Sequence, residues 1–319
     1  MDEFELIHRY FSRLGAARAD VFLGVGDDAA ILRGTDDTDL VAAVDTIVSG
    51  RHFPEGSDAR SIGHRSLAVN LSDLAAMGAR PAWAMLSLTL PQAEPDWLDG
   101  FARGFGELAR AHEVMLVGGD TTAGPLTVSV QIMGHVPHGT ALRRDGASEG
   151  DLLAVTGTIG DAGAGLALAL RTLATHDAAA AGELRRRFEY PTPRVEFGVA
   201  ARGLASAAMD LSDGLVGDLP KLAAASALGA HVDVDRLPLS RALRAVAGSL
   251  ARDFALGGGD DYELLLAVPP ARFAALASRA AALNLTLTTI GELRRGNTVH
   301  WALDSRSYAP AIEGYSHFR

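Results

Sequence analysis

The 319-residue chain is long for one simple core, and its 48% hydrophobic content is enough to fill two. Its net charge of −10 repels nucleic acid and anionic membrane, so neither is an expected partner. It has no cysteine, which excludes structural disulfides, thiolate zinc sites and cysteine nucleophiles.

The segment Met1-Asp2-Glu3-Phe4-Glu5-Leu6-Ile7 carries no basic region or long apolar stretch, and no run of about 18 apolar residues occurs, so the expected location is the cytoplasm. Residues 3–14 read as an amphipathic helix with Phe4, Ile7, Tyr10 and Phe11 on one side. A strand is expected over 39–48, ending in Val44-Asp45-Thr46, then a helix over 61–77 closed by Gly78. Strands are expected at 83–90, 114–117 and 126–136, with a helix over about 95–111 between the first two. Such alternation predicts a mixed α/β domain. Pro137 to Gly150, rich in Gly, Arg and Asp, reads as a linker. Beyond it come a strand over 151–156, a glycine-rich entry to a helix, and an Ala- and Arg-rich helix over 172–187. Tyr190-Pro191-Thr192-Pro193 breaks the chain; a turn at 210–214, a helix over 215–227 and strands near 230–235 and 262–268 follow.

Acidic residues stand at five places where a core would not ask for them. Asp27 and Asp28 lie side by side after Gly26, which suits either an Asx turn or a cation. Asp45 ends an apolar strand, a position for a ligand or a cap. Asn70 and Asp73 share one side of the 61–77 helix and need partners, from each other or from a ligand. Gly118-Gly119-Asp120 reads as a glycine turn after a strand, where backbone could approach a phosphate and the carboxylate hold a metal. In Asp210-Leu211-Ser212-Asp213-Gly214, Ser212 or Asp213 can cap the next helix, which leaves Asp210 unexplained. Together these supply hard oxygen ligands and almost no sulfur or imidazole, the donor set of Mg²⁺, Mn²⁺ or Ca²⁺. Lys221 is the only lysine among 29 basic residues and no G-x-x-x-x-G-K-[ST] string exists, so a P-loop is excluded. Arg143 and Arg144 are either a solvated basic pair or phosphate ligands.

In chain order, these strings resemble the thiamine-monophosphate kinase family, of the superfamily shared with aminoimidazole ribonucleotide synthetase. The resemblance runs through Gly26-Asp27-Asp28-Ala29, Asp45 with Gly50-Arg51-His52-Phe53, Leu67 to Ala79, Gly118 to Thr122, Arg144-Asp145-Gly146-Ala147, Met209 to Leu215, Asp261-Tyr262-Glu263-Leu264 and the His317-Phe318 tail. It covers nearly the whole chain, and the strings at 67–79 and 209–215 are highly specific. It implies an ATP-dependent kinase that makes thiamine diphosphate from thiamine phosphate, with several Mg²⁺ ions. The implied fold has an N-terminal α/β domain over 1–137 that dimerises through its sheet, giving a homodimer, and a C-terminal α/β domain over 148–319. By motif position Asp28, Val44, Asp45, Asp73, Asp120, Asp210 and Asp213 would hold metal. Gly119, Asp120, Arg144 and Ser212 would contact ATP, and His52, Asp260 and Tyr315 the thiamine substrate. Asp260 stands where the family has glutamate, one methylene longer. Val44 replaces a frequent threonine, so a metal contact there goes through its main-chain carbonyl.

The implied reaction is direct in-line transfer. An already ionised substrate phosphate attacks the γ-phosphorus, and positioning and charge neutralisation dominate. Within the superfamily, selenophosphate synthetase and the hydrogenase-maturation dehydratase are expected to use cysteine or selenocysteine, which is absent here. Aminoimidazole ribonucleotide synthetase lacks the tail. A different class, a non-enzymatic acidic module that binds Ca²⁺ or nucleotide, would show no ADP release dependent on thiamine phosphate.

Overall fold

The computed structural model describes residues 3–23 and 30–315. Two compact units divide the chain: residues 1–74 with 79–139, and residues 75–78 with 140–319.

In the first unit, α1 (Glu3–Leu6) continues as a π-helical turn over Ile7–Phe11, so the expected helix stops short of residue 14. A short ribbon, β1 (Val21–Leu23) and β2 (Ile31–Leu32), precedes the main sheet. That sheet is built from β3 (Thr38–Val48), β4 (Arg80–Leu90), β5 (Met115–Ala123) and β6 (Thr127–Pro137), in the order β3-β6-β4-β5. The β4/β5 pair is parallel, joined through α3 (Pro95–Ala111), and the other pairs are antiparallel. Val128, Val130 and Ile132 alternate inward and are fully buried, the period-2 pattern of a sheet with one covered face. The other helix, α2 (Ala59–Ala76), packs very closely on α3: a Cβ at Gly63 would come within 2.1 Å of the Phe101 carbonyl oxygen, and one at Gly104 within 1.9 Å of that of Arg60. On the opposite face, Trp83 is covered at one end by Val21 and Leu32 of the ribbon, while Leu40, Val44 and Met85 remain exposed.

The glycine turn expected in this unit is absent. Gly118-Gly119-Asp120 lies inside β5, which runs on to Ala123 with a bulge where Ala84 and Met85 of β4 oppose Leu116 and Gly118. Gly119 has φ +149°, and a Cβ there would sit 1.8 Å from the Leu86 carbonyl oxygen. Its demand for glycine is therefore the bulge's close approach to β4, not a chain reversal.

The second unit holds β7 (Leu152–Thr156), α4 (Asp161–Ala169), α5 (Ala178–Glu189), α6 (Val195–Ala201), β8 (Ala207–Asp210) and α7 (Leu215–Ala225). These are followed by β9 (Leu228–Asp233), α8 (Arg241–Ala247), α9 (Ala251–Gly257), β10 (Leu264–Val268), α10 (Pro270–Ala282), β11 (Leu287–Arg295), β12 (Val299–Leu303) and β13 (Arg306–Tyr308). The seven strands order as β13-β12-β9-β11-β7-β10-β8. β10 is buried along its whole length between β7 and β8, as an unbroken Leu-Leu-Leu-Ala-Val run requires. The helix expected over 172–187 begins only at Ala178, where the Asp177 carboxylate accepts from the Ala180 amide as an N-cap. The last three strands escaped the sequence reading, since their polar residues break the apolar runs.

Candidate active site

In the first unit, a polar connection joins the helix to the sheet edge. Asn70 of α2 is fully buried; its Oδ1 accepts from the Asp45 amide at 3.0 Å and its Nδ2 donates to the Ser66 carbonyl at 2.9 Å. Asn70 thus fixes the backbone of β3 at Asp45. Asp73 lies one turn further along α2, half-buried. His52 closes the turn after β3, its Nδ1 accepting from the Val48 amide at 3.0 Å. Strand register sets Asp45 opposite Val130, on the helix-covered face, and Val44 opposite Gln131, on the open face with 64% of its surface exposed. Asp120 is opposite Ser87, whose other neighbour is Ser129, so it too belongs to the open face. Asp45 and Asp120 thus stand on the two edge strands and on opposite faces, separated by three strand spacings, about 14 Å. Asp28 and the His317-Phe318 tail lie outside the described residues.

The second unit gathers its candidates. Asp210 ends β8, 6% exposed, paired in register with Leu264. Next, the chain turns through Leu211 to Gly214, and that turn is shaped from within α7: Asp218, fully buried, accepts through Oδ2 from the Ser212 amide at 3.1 Å and the Asp213 amide at 2.9 Å. Neither Ser212 nor Asp213 caps α7; the N-cap position is Gly214. Burial raises the Asp218 carboxyl above its usual range, against the pull of Lys221. The Lys221 ammonium lies 2.9 Å from Asp218 and 2.6 Å from Asp213. Burial works against its charge, but those carboxylates hold its pKa above the ordinary value.

Around this turn the other candidates converge. The Asp260 amide donates to the Ser212 carbonyl at 2.9 Å and the Tyr262 amide to that of Leu211 at 2.9 Å. Asp260 and Tyr262 both take positive φ, 61° and 50°, uncommon for such residues. The Tyr315 amide donates to the Asp213 carbonyl at 3.1 Å, and its side chain is 42% exposed. Arg144 is exposed on a segment laid against β8, where the Arg143 carbonyl accepts from the Ala208 amide at 3.0 Å. Arg143 itself is paired with Asp145. Arg144, Asp210, Ser212, Asp213, Asp260 and Tyr315 therefore belong to one cluster of loops.

Beneath it lies a buried charge knot that the sequence reading did not single out as such. Glu263 is fully buried and accepts from Thr156 Oγ1 at 2.6 Å, Arg187 at 2.8 Å and Arg194 Nε at 2.7 Å. Asp261 accepts from the amides of Gly160 at 2.6 Å and Ala162 at 3.2 Å, at the start of α4. Burial pushes its carboxyl up to about 8, although those amides and Arg187 pull the other way. Arg187 and Arg194 both face Glu263, and Arg187 also lies 3.9 Å from Asp161, so the buried acids of the knot have basic partners, as a buried ionic group requires. The only signal in the sequence was the alternation Asp260-Asp261-Tyr262-Glu263, whose even and odd members point to different partners.

Against known proteins, residues 26–136 match the AIR synthase related protein N-terminal domain and residues 148–302 its C-terminal domain. Thiamine-monophosphate kinase of Salmonella typhimurium is 44% identical over 99% of this chain and 98% of its own length. The chain belongs to the thiamine-monophosphate kinase family. The crystal structure of thiamine-monophosphate kinase from Stenotrophomonas maltophilia is 49% identical, with a TM-score of 0.85 over 91% of this chain and 93% of that one. A structure described as AaThiL complexed with AMPPCP and TMP is 30% identical, with a TM-score of 0.79 over 92% of each chain.

Thiamine-monophosphate kinase relatives thus share both halves with this chain. Its donor chemistry fits a hard divalent cation: every charged candidate metal ligand is an aspartate, and one of them, Asp213, already holds a cation in the form of Lys221. Among the described residues no three His, Asp or Glu side chains close on one point. That is compatible with Mg²⁺, which takes one or two carboxylates and completes its shell with water and phosphate oxygens. No described helix is long and apolar enough to cross a membrane.

Proposed function

We propose that the chain transfers the γ-phosphoryl group of ATP to thiamine phosphate, making thiamine diphosphate, and that it does so in the cytoplasm. The observation that carries this reading is kinship with thiamine-monophosphate kinases along 99% of the chain. It is supported by the convergence of Arg144, Asp210, Ser212, Asp213, Asp260 and Tyr315 in the second unit. Asp28, the Val44 carbonyl, Asp45, Asp73, Asp120, Asp210 and Asp213 would hold Mg²⁺, which when bound supplies positive charge to two polyanions that otherwise repel.

The chain's own residues do the positioning. Asp218 fixes the 211–214 turn, which would present the Ser212 hydroxyl to the nucleotide, while the Arg144 guanidinium would meet its phosphates; Gly119, in β5, would offer its backbone. His52, held by the Val48 amide, and Asp260 and Tyr315 would orient the thiamine substrate; an aromatic face suits its thiazolium cation. No side chain needs to remove a proton, because the attacking phosphate oxygen is already ionised at neutral pH. No covalent phosphoenzyme is formed.

We also infer a homodimer formed through the open face of the β3-β6-β4-β5 sheet. Leu40, Val44 and Met85, exposed by 59%, 64% and 36%, line that face beside small polar residues. Leu40→Glu with Val44→Glu is expected to give a monomer in analytical ultracentrifugation. The test of the reaction is a coupled ADP-release assay with thiamine phosphate and Mg²⁺. EDTA should bring turnover to background and added Mg²⁺ restore it; full activity without divalent metal, or ADP release independent of thiamine phosphate, refutes the reading.

A further inference from the structure

The two carboxylates bridged by the chain's single lysine are not equivalent. Asp218 is committed. Its side chain is 1% exposed, and its second oxygen holds the Ser212 and Asp213 amides that shape the turn. Asp213 is the outer member, with a side chain 30% exposed, and its carboxylate accepts from the Lys221 ammonium at 2.6 Å. An ammonium on a flexible four-carbon stem carries three donors, so it can release one carboxylate and keep the other. If Lys221 lets Asp213 go, Asp218 still has its counter-charge, and no buried ion is left alone.

We propose that Lys221 is a built-in counter-cation: it holds Asp213 when no metal is bound, yields that carboxylate to the divalent ion, and stays on Asp218, thereby setting the affinity of that metal position. This rests on the reading of Asp213 as a metal ligand. Two cations cannot share one carboxylate without repelling, so the lysine weakens metal binding at Asp213. The same ion pair keeps Asp213 and Asp218 from repelling each other before metal arrives.

The experiment uses the full chain with a non-hydrolysable ATP analogue, titrated with Mn²⁺ and followed by the paramagnetic resonance signal of the free ion. Asp213→Asn identifies which bound ion depends on that carboxylate. Lys221→Met is expected to bind that ion about five- to tenfold more tightly, because one positive charge a few ångströms away has gone. It should also melt lower than the natural chain in EDTA and recover more on adding Mn²⁺. Lys221→Arg keeps the charge and should keep the natural affinity. Should Lys221→Met fail to fold, the double variant Asp218→Asn with Lys221→Met removes the buried charge with its partner and leaves an amide oxygen for the two backbone N–H groups; it too should bind more tightly. Unchanged or weaker Mn²⁺ binding in a folded variant overturns the counter-cation while leaving the metal assignment in place. If Asp213→Asn loses no ion, the metal assignment itself fails and the counter-cation with it.

Discussion

Across the first unit's sheet, Asp45 and Asp120 stand on the two edge strands and opposite faces, whereas around the end of β8 six polar candidates crowd into a few loops. Strand geometry explains the contrast. A side chain's face is set by a period of two and its lateral position by strand order, so distant strands cannot bring their carboxylates together. Loops have no such constraint, provided something holds them. In the second unit that support is buried: Asp218 grips the 211–214 turn, and Glu263 with Arg187 and Arg194 anchors the strained run that presents Asp260 and Tyr262. As metal ligands, carboxylates spread over a sheet would need water or substrate to complete the shell, whereas those of the loop cluster are already held near one another by backbone hydrogen bonds.

The largest expected effect comes from removing one carboxylate from each region. Asp120→Asn and Asp210→Asn should each keep the fold and lose at least about a hundredfold in kcat, several kcal/mol of transition-state stabilisation. Thermal melting in EDTA should stay level in Asp120→Asn, whose carboxylate stands apart on the sheet, and stay level or rise slightly in Asp210→Asn, where like charges in the loop cluster repel without metal. Loss in Asp210→Asn with near-normal turnover in Asp120→Asn would break the comparison and assign the metal work to the loop cluster alone.

Next comes the side chain carried at the edge of that cluster. Tyr315→Ala should raise KM for thiamine phosphate several-fold with little change in KM for ATP, on the scale of about 1–2 kcal/mol for a partly desolvated cation–π contact. Equal changes in both constants would show that the loop cluster presents Tyr315 to something other than the thiazolium.

The smallest effect on turnover is expected from the buried support, where the readout is stability against pH. Asp261 has its folded pKa raised from 3.8 to about 8. Between those values the unfolded chain has released a proton that the folded chain still holds, so this group's contribution to stability is full below about pH 4 and lost as pH rises toward 8. In Asp261→Asn that loss disappears. The melting temperature of the variant relative to the natural chain should therefore climb from pH 4 to pH 8 and then level off. A constant difference across that range would mean that Asp261 is ionised in the fold, held by Arg187 and the Gly160 and Ala162 amides.

Much of this was legible from local pattern. The helix over 95–111 and the strand ending at Val48 emerge where periodicity placed them, because one apolar face repeats at the period of the element. The glycine pair before Asp120 misled, since two glycines signal a turn and a bulge equally well, and only the approach of Leu86 distinguishes them. Asn70 reads as a polar residue in need of partners; one is the Ser66 carbonyl in its own helix, and the other is the amide of Asp45, 25 positions away.

By itself the sequence determined the chemistry available: oxygen donors without sulfur, a single lysine, no P-loop, two α/β halves, and motifs specific enough to name a family. Tertiary structure alone decided which of those donors meet. It put Asp45 and Asp120 on opposite faces, tied the 260–263 run to the 211–212 backbone, and seated Lys221 between Asp213 and Asp218. The reason is physical: a residue's chemistry travels with its side chain, but its neighbours are chosen by strand register and by burial, which require every unpaired charge and amide to find a partner from wherever the fold brings one.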